Sequence, residues 1–412
     1  MKVYTENIDS IDLCFKWIYN ILYYGGCLSF QLRRKTLQLT KGNIVYTHFI
    51  RSALILSFVG SIALKNSSGY GSKAMLDQLS PVLKLILGFE TFTSTVTYIA
   101  VTSAMHANRY KHLKLLFQFK ELDEQMQATY PKIKWNYHKT MRKFTPITLC
   151  GMFYYYAVSL IYVFNLSNCN CDYATTLMFA LSYASITITP GCTFFLHLGM
   201  MDLQRIRYRL IQRLLRQEYC GLRKDASKQC KFKLRITRLI DYYKRYIELI
   251  LQINDVFGVV CGISLFHDFT VLTNMTFLMC QKATESGTRS EEYVFIFLFM
   301  LPRIYKVTIY AVYGYVTQME QRNCAHEIRM SSKYFRSSLV MRNKLSAFLH
   351  WQMQKKYTFL VGRMTRCNLI LLYTTVNSIA SSVIILIQLQ FQQNSITERM
   401  KNGRMLQDVE LI

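Results

Sequence analysis

The sequence lacks the short motifs that mark the common enzyme and cofactor sites. It has 12 Cys and 8 His, but no Cys-x-x-Cys pair and no His-Glu-x-x-His run, which are signatures of redox and zinc sites. The glycine patterns of P-loop and dinucleotide-binding proteins do not occur either. The sequence therefore predicts no metal, no cofactor and no enzymatic activity, and its function must come from another kind of site.

Charged residues are scarce and unequal in sign. They make up 18% of the chain against 51% hydrophobic residues, and 24 acidic residues stand against 50 basic ones. This composition excludes an ordinary soluble protein and predicts an all-α membrane protein with one domain over residues 1–412. Seven segments are apolar and long enough to span a bilayer. They are residues 44–64, 81–105, 145–166, 173–200, 256–280, 292–316 and 369–391.

The basic residues alternate between the connecting segments. Thirty-nine of the 50 lie in residues 1–43, 106–144, 201–253 and 317–367, whereas the intervening loops and the C-terminal tail hold seven. By the positive-inside rule the N-terminus is cytoplasmic and the C-terminus extracellular, the reverse of a G-protein-coupled receptor. The same bias explains most of the net charge of +26, so a nucleic-acid partner is not expected.

Three glycosylation sequons agree with this orientation. Asn66 and Asn165 fall in predicted outer loops, where a glycan can be added. Asn274 is the third candidate; it lies near the outer end of the fifth span, at a depth that leaves its modification open. Cys169 and Cys171 also lie outside, where a disulfide is allowed, and Cys280 is a nearby candidate partner. The sequence leaves that pairing open.

The last span carries polar side chains on one side. Asn377, Ser381 and Gln388 recur at helical spacing and share a face. A polar face on a membrane helix is typical of a pore, but small and weakly polar residues also hold helices together in lipid. Both interpretations remain open from the helix alone.

Two ionisable residues lie near the middle of the fifth and sixth spans. Asp268 and Arg303 are on adjacent antiparallel spans, and the cost of charge in a membrane predicts that they form one ion pair. This pair either fixes helix packing or contacts a polar ligand. Pro302, and Pro190 followed by Gly191, are expected to kink their helices and open space beside them.

The inner segments are predicted to be helical extensions rather than loose loops. Apolar residues at helical spacing continue the fourth span, lead into the fifth and precede the seventh. A cytoplasmic helical anchor built from residues 201–253 and 317–367 accounts for three such stripes. The alternative is basic helices lying on anionic lipid. The three stripes are Leu203, Ile206, Leu210 and Leu214; Ile236, Ile240, Tyr243, Ile247 and Leu251; and Leu345, Leu349, Met353, Tyr357 and Leu360, and the basic residues are Arg205, Arg207, Arg209, Arg213 and Arg216.

The end of the last span resembles a motif of the insect gustatory receptors, which share one superfamily with the odorant receptors. These receptors carry Thr-Tyr, five apolar residues and then Gln-Phe. Here Ser381-Ser382 precede the apolar residues 383–387 and then Gln388-Leu389, so the apolar run and the Gln are kept. Length, seven spans, inverted topology and basic inner loops extend the resemblance over nearly the whole chain.

A second alignment of this motif takes Gln390-Phe391 as the terminal pair. It places Val383-Ile384 at Thr-Tyr and breaks the apolar run at Gln388, so the first alignment is preferred.

The resemblance implies a ligand-gated, non-selective cation channel in the plasma membrane of chemosensory neurons. It implies a homo- or hetero-tetramer with other gustatory receptor subunits in the lipid bilayer, in which the last helices surround one pore. Gln388 and the nearby Ile384, Ile387 and Phe391 are then expected to form the pore and gate, together with Ser381 and Asn377 of the polar face.

A small-molecule tastant is then expected to bind among the outer halves of spans 2 to 6. These are residues 81–93, 154–166, 173–186, 267–280 and 292–303. Aromatic residues with a polar group suit such a ligand, although Tyr is also enriched at membrane interfaces. The candidates are Tyr154, Tyr155, Tyr156, Tyr162, Tyr173, Tyr183 and Tyr293, with Asp268 and Arg303.

Three other functions remain open at this point. An odorant-type subunit of the same superfamily would share every feature above. A receptor that signals through a cytoplasmic partner would bind ligand without passing current. A membrane enzyme would need facing His, Asp or Glu side chains, for which the sequence offers the isolated pair His267-Asp268.

Overall fold

The computed structural model describes residues 11–33, 36–67, 81–133, 135, 137–167, 173–224, 229–284, 290–333, 338–354, 357–362 and 364–410. Helices form nearly all of this part of the chain, which confirms the all-α prediction. The helices are α1 (Ile11–Cys14), α2 (Lys16–Tyr24), α3 (Lys41–Ser67), α4 (Pro81–Ala107), α5 (Arg109–Thr129), α6 (Tyr137–Ser167), α7 (Tyr173–Lys224), α8 (Gln229–Thr284), α9 (Ser290–Met330), α10 (Leu339–Gln354) and α11 (Leu369–Glu410).

Seven long helices contain the seven predicted spans: α3, α4, α6, α7, α8, α9 and α11. Within the described residues, five segments are long and apolar enough to cross a membrane by length and composition. They are Lys41–Leu64, Tyr173–Cys220, Lys231–Ala283, Ile296–Lys333 and Leu369–Gln393. The predicted spans at 81–105 and 145–166 are also helical, and the side chains at one end of each lie outside the described part.

The two longest helices reach well beyond a bilayer. α7 has 52 residues and α8 has 56, which at 1.5 Å per residue gives about 78 and 84 Å against a hydrocarbon core of about 30 Å. Residues 201–224 and 229–253 are therefore continuous helical extensions of the spans, as predicted. α7 packs against α3, α6, α8 and α9 and forms the centre of the core.

The third predicted stripe is wrong in its second half. Helix α10 ends at Gln354 rather than running to Leu360, and Leu349 and Met353 are exposed while Leu345 is buried. The stripe therefore has no single buried face, because a helical period was assumed across a segment that turns into a hairpin.

That hairpin leads directly into the last helix and is held by the two preceding spans. Its strands β3 (Leu360–Val361) and β4 (Thr365–Arg366) are antiparallel. Asn254 of α8 donates to the Thr358 carbonyl oxygen at 2.8 Å and accepts from the Leu360 N–H at 3.0 Å. On the α9 side, the Cys367 thiol donates to the Tyr310 carbonyl oxygen at 3.2 Å.

Close backbone approach makes this arrangement depend on glycine. The Gly362 N–H donates to the Gly258 carbonyl oxygen at 2.8 Å, and a Cβ on Gly262 would lie 2.6 Å from the Gly362 Cα. Gly362 itself has φ of +61°, a left-handed conformation that glycine adopts at little cost. The hairpin turn is thus packed against α8 at backbone distance.

A second hairpin joins the N-terminal helices to α3. Its strands are β1 (Phe30–Arg33) and β2 (Thr36–Leu39), paired from Phe30 with Leu39 to Arg33 with Thr36. Phe30 is buried against the ring of His112 on α5, with centroids 5.2 Å apart. The Tyr19 hydroxyl of α2 lies 3.2 Å from His112 Nε2. The N-terminal segment is therefore part of the core.

Several arginines of α7 form ion pairs with carboxylates of the facing helices. Arg209 and Arg216 form ion pairs with Glu320 and Glu327 of α9, at 2.7 and 2.6 Å. Arg207 is fully buried. Arg207 therefore does not lie on a lipid surface. Arg209 and Arg216 are paired because the facing helix supplies acidic side chains at a matching seven-residue spacing.

Candidate functional site

A cavity of about 490 Å³ lies where α6, α7, α8 and α9 meet. Ile147 of α6 and Phe195 of α7 line it together with Ser264 of α8. These residues lie outside the predicted outer halves of the spans, so the cavity is nearer the middle of the helices than expected. Its volume is within the range of small-molecule sites.

The prolines that were expected to open space line this cavity. Pro190 and Gly191 form part of its wall from α7, and Pro302 contributes from α9. Both prolines are inside helices, where a missing N–H and the bulk of the ring disturb the regular hydrogen bonding. The placement of the cavity agrees with that prediction.

The predicted ion pair between Asp268 and Arg303 is wrong. Asp268 Oδ2 instead lies 2.5 Å from Lys306 Nζ, and Lys306 also donates to Ser264 Oγ at 2.7 Å. Lys306 is three residues after Arg303 and therefore on the same side of α9. Both basic residues line the cavity with Asp268, so the sequence located the charged site but not its pairing.

Arg303 occupies the cavity wall without a carboxylate partner in the described part of the chain. It is buried, and its Nη1 donates to the Phe299 carbonyl oxygen of its own helix at 2.9 Å. Its guanidinium carbon lies 4.3 Å from the centre of the Phe299 ring and 5.6 Å from that of Tyr155. Among the described residues, Nε and Nη2 have no acceptor.

The predicted tyrosines divide into two groups. Tyr154 and Tyr155 line the cavity, and the Tyr154 hydroxyl donates to the Leu298 carbonyl oxygen. Tyr156 and Tyr183 do not line it and bond elsewhere, to Ser185 Oγ and Glu90 Oε1, each at 3.0 Å.

The other tyrosine candidates are not brought to the cavity. Tyr173 is exposed and Tyr293 is half-buried, both outside the cavity lining. The side chain of Tyr162 lies outside the described part of the chain.

The last helix is exposed over most of its surface and contacts the rest of the described chain along one side. Leu371 and Val383 are buried against the rest of the chain, and α11 packs on α8 and α9. Asn377, Ser381 and Gln388 are all exposed on the opposite side. Their polar face is therefore not used to pack α11 within this chain, which removes the helix-packing interpretation for contacts inside one subunit.

The candidate gate residues lie on or beside this face. Ile384 and Phe391 are exposed, at 55% and 67%, whereas Ile387 is half-buried. Gln390, the residue of the second motif alignment, is half-buried, in contrast to the exposed Gln388. The helix continues beyond Phe391 to Glu410, so the C-terminal tail extends the helix of the last span.

The sequons differ in accessibility. Asn274 is inside α8 and buried, with 6% of its side chain exposed, so it is not accessible to glycosylation in the folded chain. The side chains of Asn66 and Asn165 lie outside the described part. Cys280 is a free thiol, while Cys169 and Cys171 also lie outside the described residues.

Sequence reasoning missed a buried polar cluster at the extension end of the bundle. Asp123 of α5 accepts from Arg207 Nε at 2.9 Å, from Arg207 Nη2, from the Tyr246 hydroxyl at 2.7 Å and from the Tyr137 hydroxyl. Each carboxylate oxygen thus has two donors. The signal for this cluster was Asp123 itself, a charged residue among the buried apolar positions of α5. Its partners come from three other helices, which the sequence does not reveal.

Three comparisons place this geometry among known proteins. The family model described as 7tm Chemosensory receptor matches residues 15–393. Gustatory receptor 47b of Drosophila melanogaster is 32% identical over 408 residues, covering 98% of this chain and 97% of that protein. Gustatory receptor 57a of the same species is 23% identical over 370 residues, covering 86% of each.

The fold is also similar to solved structures. Olfactory receptor OR5 of Machilis hrabei, in complex with eugenol, superposes with a TM-score of 0.65 at 12% identity, covering 91% of this chain and 97% of that one. A second structure of the same receptor gives 0.64 at 13% identity with the same coverage. The seven-helix arrangement is therefore shared at low sequence identity.

Proposed function

We propose, since this chain belongs to the gustatory receptor family of insect chemosensory receptors, that it is a subunit of a ligand-gated, non-selective cation channel opened by small-molecule tastants. It works in the plasma membrane of chemosensory neurons, as a homo- or hetero-tetramer with other gustatory receptor subunits. Membership of the family and a receptor rather than enzyme role are the premises. Conduction, the tastant and the partner subunits are the proposal.

The uncovered polar face of α11 is the observation that carries this proposal. Asn377, Ser381 and Gln388 lie along one side of an apolar helix and are exposed in the single chain. Burial of such groups in lipid without partners is costly. Four copies of this face around a central axis would meet water instead, which supports a pore.

The proposed gate is the apolar outer part of the same face. Ile384, Ile387 and Phe391 flank Gln388 and would narrow the pore in the closed state by excluding water. Residues 369–391 contain no Asp or Glu, so selectivity among cations rests on amide, hydroxyl and backbone oxygens. Weak discrimination is the physical expectation.

The proposed orientation has the N-terminus in the cytoplasm and the C-terminus outside. The charge bias supports it, because the extensions of α7 and α8 lie in basic segments. Asn66 and Asn165 are then on the outer side and are the proposed glycan sites. The cavity, where we propose that the tastant binds, then lies within the membrane-spanning part of the bundle.

Whole-cell recording tests the proposal with a matched pair of variants. Cells expressing the chain, alone and with other gustatory receptor subunits, are exposed to a tastant panel, and the wild type is compared with Gln388→Ala and Gln390→Ala. A cation current whose conductance or ion preference changes in Gln388→Ala, and not in Gln390→Ala, is the expected result. The half-buried Gln390 controls for the loss of an amide from the same helix.

Other outcomes point to the alternatives. A current that responds to odorants and not to tastants would favour an odorant-type subunit. Verified surface expression with ligand binding and no current in any combination would favour a receptor that signals through a cytoplasmic partner. A current that neither variant alters would move the pore away from α11.

A further inference from the structure

Arg303 lines the cavity and has two N–H groups without an acceptor among the described residues. With its Nη1 bonded to the Phe299 carbonyl oxygen, the guanidinium still has Nε and Nη2 without an acceptor in the described part of the chain. These two atoms form one edge of the planar guanidinium, the edge that binds both oxygens of a carboxylate. A buried arginine side chain, 1% exposed, leaves such donors unpaired only at a large cost.

Two buried carboxylates, Asp268 and Glu90, interact electrostatically with Arg303, and Glu90 Oε2 has no hydrogen-bond donor among the described residues. Asp268 forms its ion pair with Lys306 at 2.5 Å, and Glu90 accepts a hydrogen bond from the Tyr183 hydroxyl at 3.0 Å. Neither forms an ion pair with Arg303 among the described residues. The cavity wall holds two basic side chains, Arg303 and Lys306, and one acidic side chain, Asp268. Because Asp268 is paired with Lys306, Arg303 is the basic group of the wall without an ion-pair partner among the described residues.

The rest of the cavity wall is apolar and aromatic. Tyr155, Phe195 and Ile188 line it, and the Tyr155 ring lies beside the guanidinium. A ligand that fills about 490 Å³ must therefore be mainly apolar, with one group that suits the Arg303 edge. This division between apolar wall and one fixed polar group is typical of small-molecule sites.

From these contacts we infer that the cavity recognises small organic acids, with the ligand carboxylate held in two hydrogen bonds by Arg303 Nε and Nη2. The inference rests on the proposed function, since it names the ligand class of the receptor. A neutral ligand with one carbonyl oxygen would satisfy only part of the Arg303 edge and would leave its charge unpaired.

Matched acid and amide probes test the inference on the full-length purified chain. Dissociation constants are measured from ligand-dependent shifts of the unfolding temperature at neutral pH, using benzoate, phenylacetate and hexanoate, each against its amide. We expect acids to bind about tenfold to a hundredfold more tightly than the amides, as a charged two-bond contact provides. Arg303→Gln should remove this preference, and Tyr305→Phe, at another position of the cavity wall, should keep it.

The ratio of the acid and amide dissociation constants of the wild-type chain tests the inference even if Arg303→Gln does not fold. Equal binding of acids and amides, no binding of the acids at millimolar concentration, or a preference that persists in Arg303→Gln would each overturn the inference.

Recording of current separates this inference from the channel proposal. A chain that binds acids through Arg303 but passes no current would uphold the inference and overturn the channel. A chain opened by neutral tastants without an acid preference would overturn the inference and leave the channel standing.

Discussion

Arg207 of α7 and Asp123 of α5, 84 residues apart in the sequence, form a buried ion pair through two hydrogen bonds. The hydroxyl groups of Tyr246 and Tyr137 donate two further hydrogen bonds to the Asp123 carboxylate. Arg207 Nη1 donates to the Leu203 carbonyl oxygen at 2.7 Å. Every strong acceptor position of Asp123 is thereby used. Charged groups that are buried and fully paired fix the relative position of the helices that carry them.

The first prediction follows from removal of one member of this pair. Arg207→Met leaves Asp123 charged and buried with two of its donors gone, and we expect the free energy of unfolding to fall by about 3–5 kcal/mol. Chemical unfolding of the purified chain in detergent measures this loss. The control is Arg216→Met at an exposed ion pair, which should cost about 0–1 kcal/mol. Similar losses in both variants would contradict the structural role given to Arg207.

The second prediction concerns acid. Burial lowers the pKa of His112 from 6.5 to about 3, so the folded chain keeps this ring neutral where the unfolded chain takes up a proton. Stability from this residue is therefore complete above pH 6.5 and decreases as the pH falls toward 3, by about 1.4 kcal/mol per pH unit.

Comparison with His112→Phe isolates this contribution. The variant keeps an aromatic ring among Tyr19, Phe30 and Phe257 but has no proton to gain. Unfolding temperatures between pH 7 and pH 4.5 should fall more steeply in the wild type than in the variant. Parallel pH profiles would show that His112 is not buried in its neutral form.

The third prediction tests the close approach between α8 and the hairpin that precedes α11. Gly262→Ala places a methyl group 2.6 Å from the Gly362 Cα, and we expect a net loss of about 1–3 kcal/mol from this overlap despite the better helix propensity of Ala. Gly60→Ala in α3 has no neighbour within 4 Å of the added atom. It should be neutral or stabilising by up to about 1 kcal/mol. Thermal unfolding of both variants provides the comparison.

The fourth prediction tests the proposed pore face by chemical labelling. A small charged thiol reagent should block the current of Ser381→Cys, because this position is exposed on the polar face, and should leave Val383→Cys nearly unaffected, because Val383 is 6% exposed. Block is measured relative to the unsubstituted chain, since Cys150 and Cys220 are also exposed. Equal block at both positions would contradict the assignment of faces on α11.

The sequence predicts the helices of this protein well and their contacts less well. Apolar length located seven long helices that contain the predicted spans, because that signal is local, while the membrane boundaries within these helices stay a prediction. The predicted partner of Asp268 was wrong because Arg303 and Lys306 lie one helical turn apart. Only the packing of α9 on α8 decides which of the two forms the ion pair. The buried Arg207 could not be distinguished by sequence from the exposed Arg209 and Arg216. Arginines recur along this part of α7, and only its contacts with the other helices decide which of them is buried.

The candidate site shows the same division. Pro190, Gly191 and Pro302 gave the position of the cavity because their effect on a helix is local. The roles of Tyr154 and Tyr183 could not be separated by sequence, since their separation depends on which helix faces each ring. The hairpin before α11 was missed because its strands have two residues each, too few for an alternating pattern.

The hairpin at Gly362 and Cys367 also means that the position of the last helix depends on α8 and α9. The hairpin that leads into this helix is attached by backbone contacts and hydrogen bonds to α8 and α9. These are the two helices whose side chains Asp268, Arg303 and Lys306 form the charged wall of the cavity. We therefore expect a change in the separation of α8 and α9 around an occupant to alter the direction in which α11 leaves the bundle. Under the proposed function, ligand binding in the cavity and opening of the pore would then both depend on the contacts of this hairpin with α8 and α9.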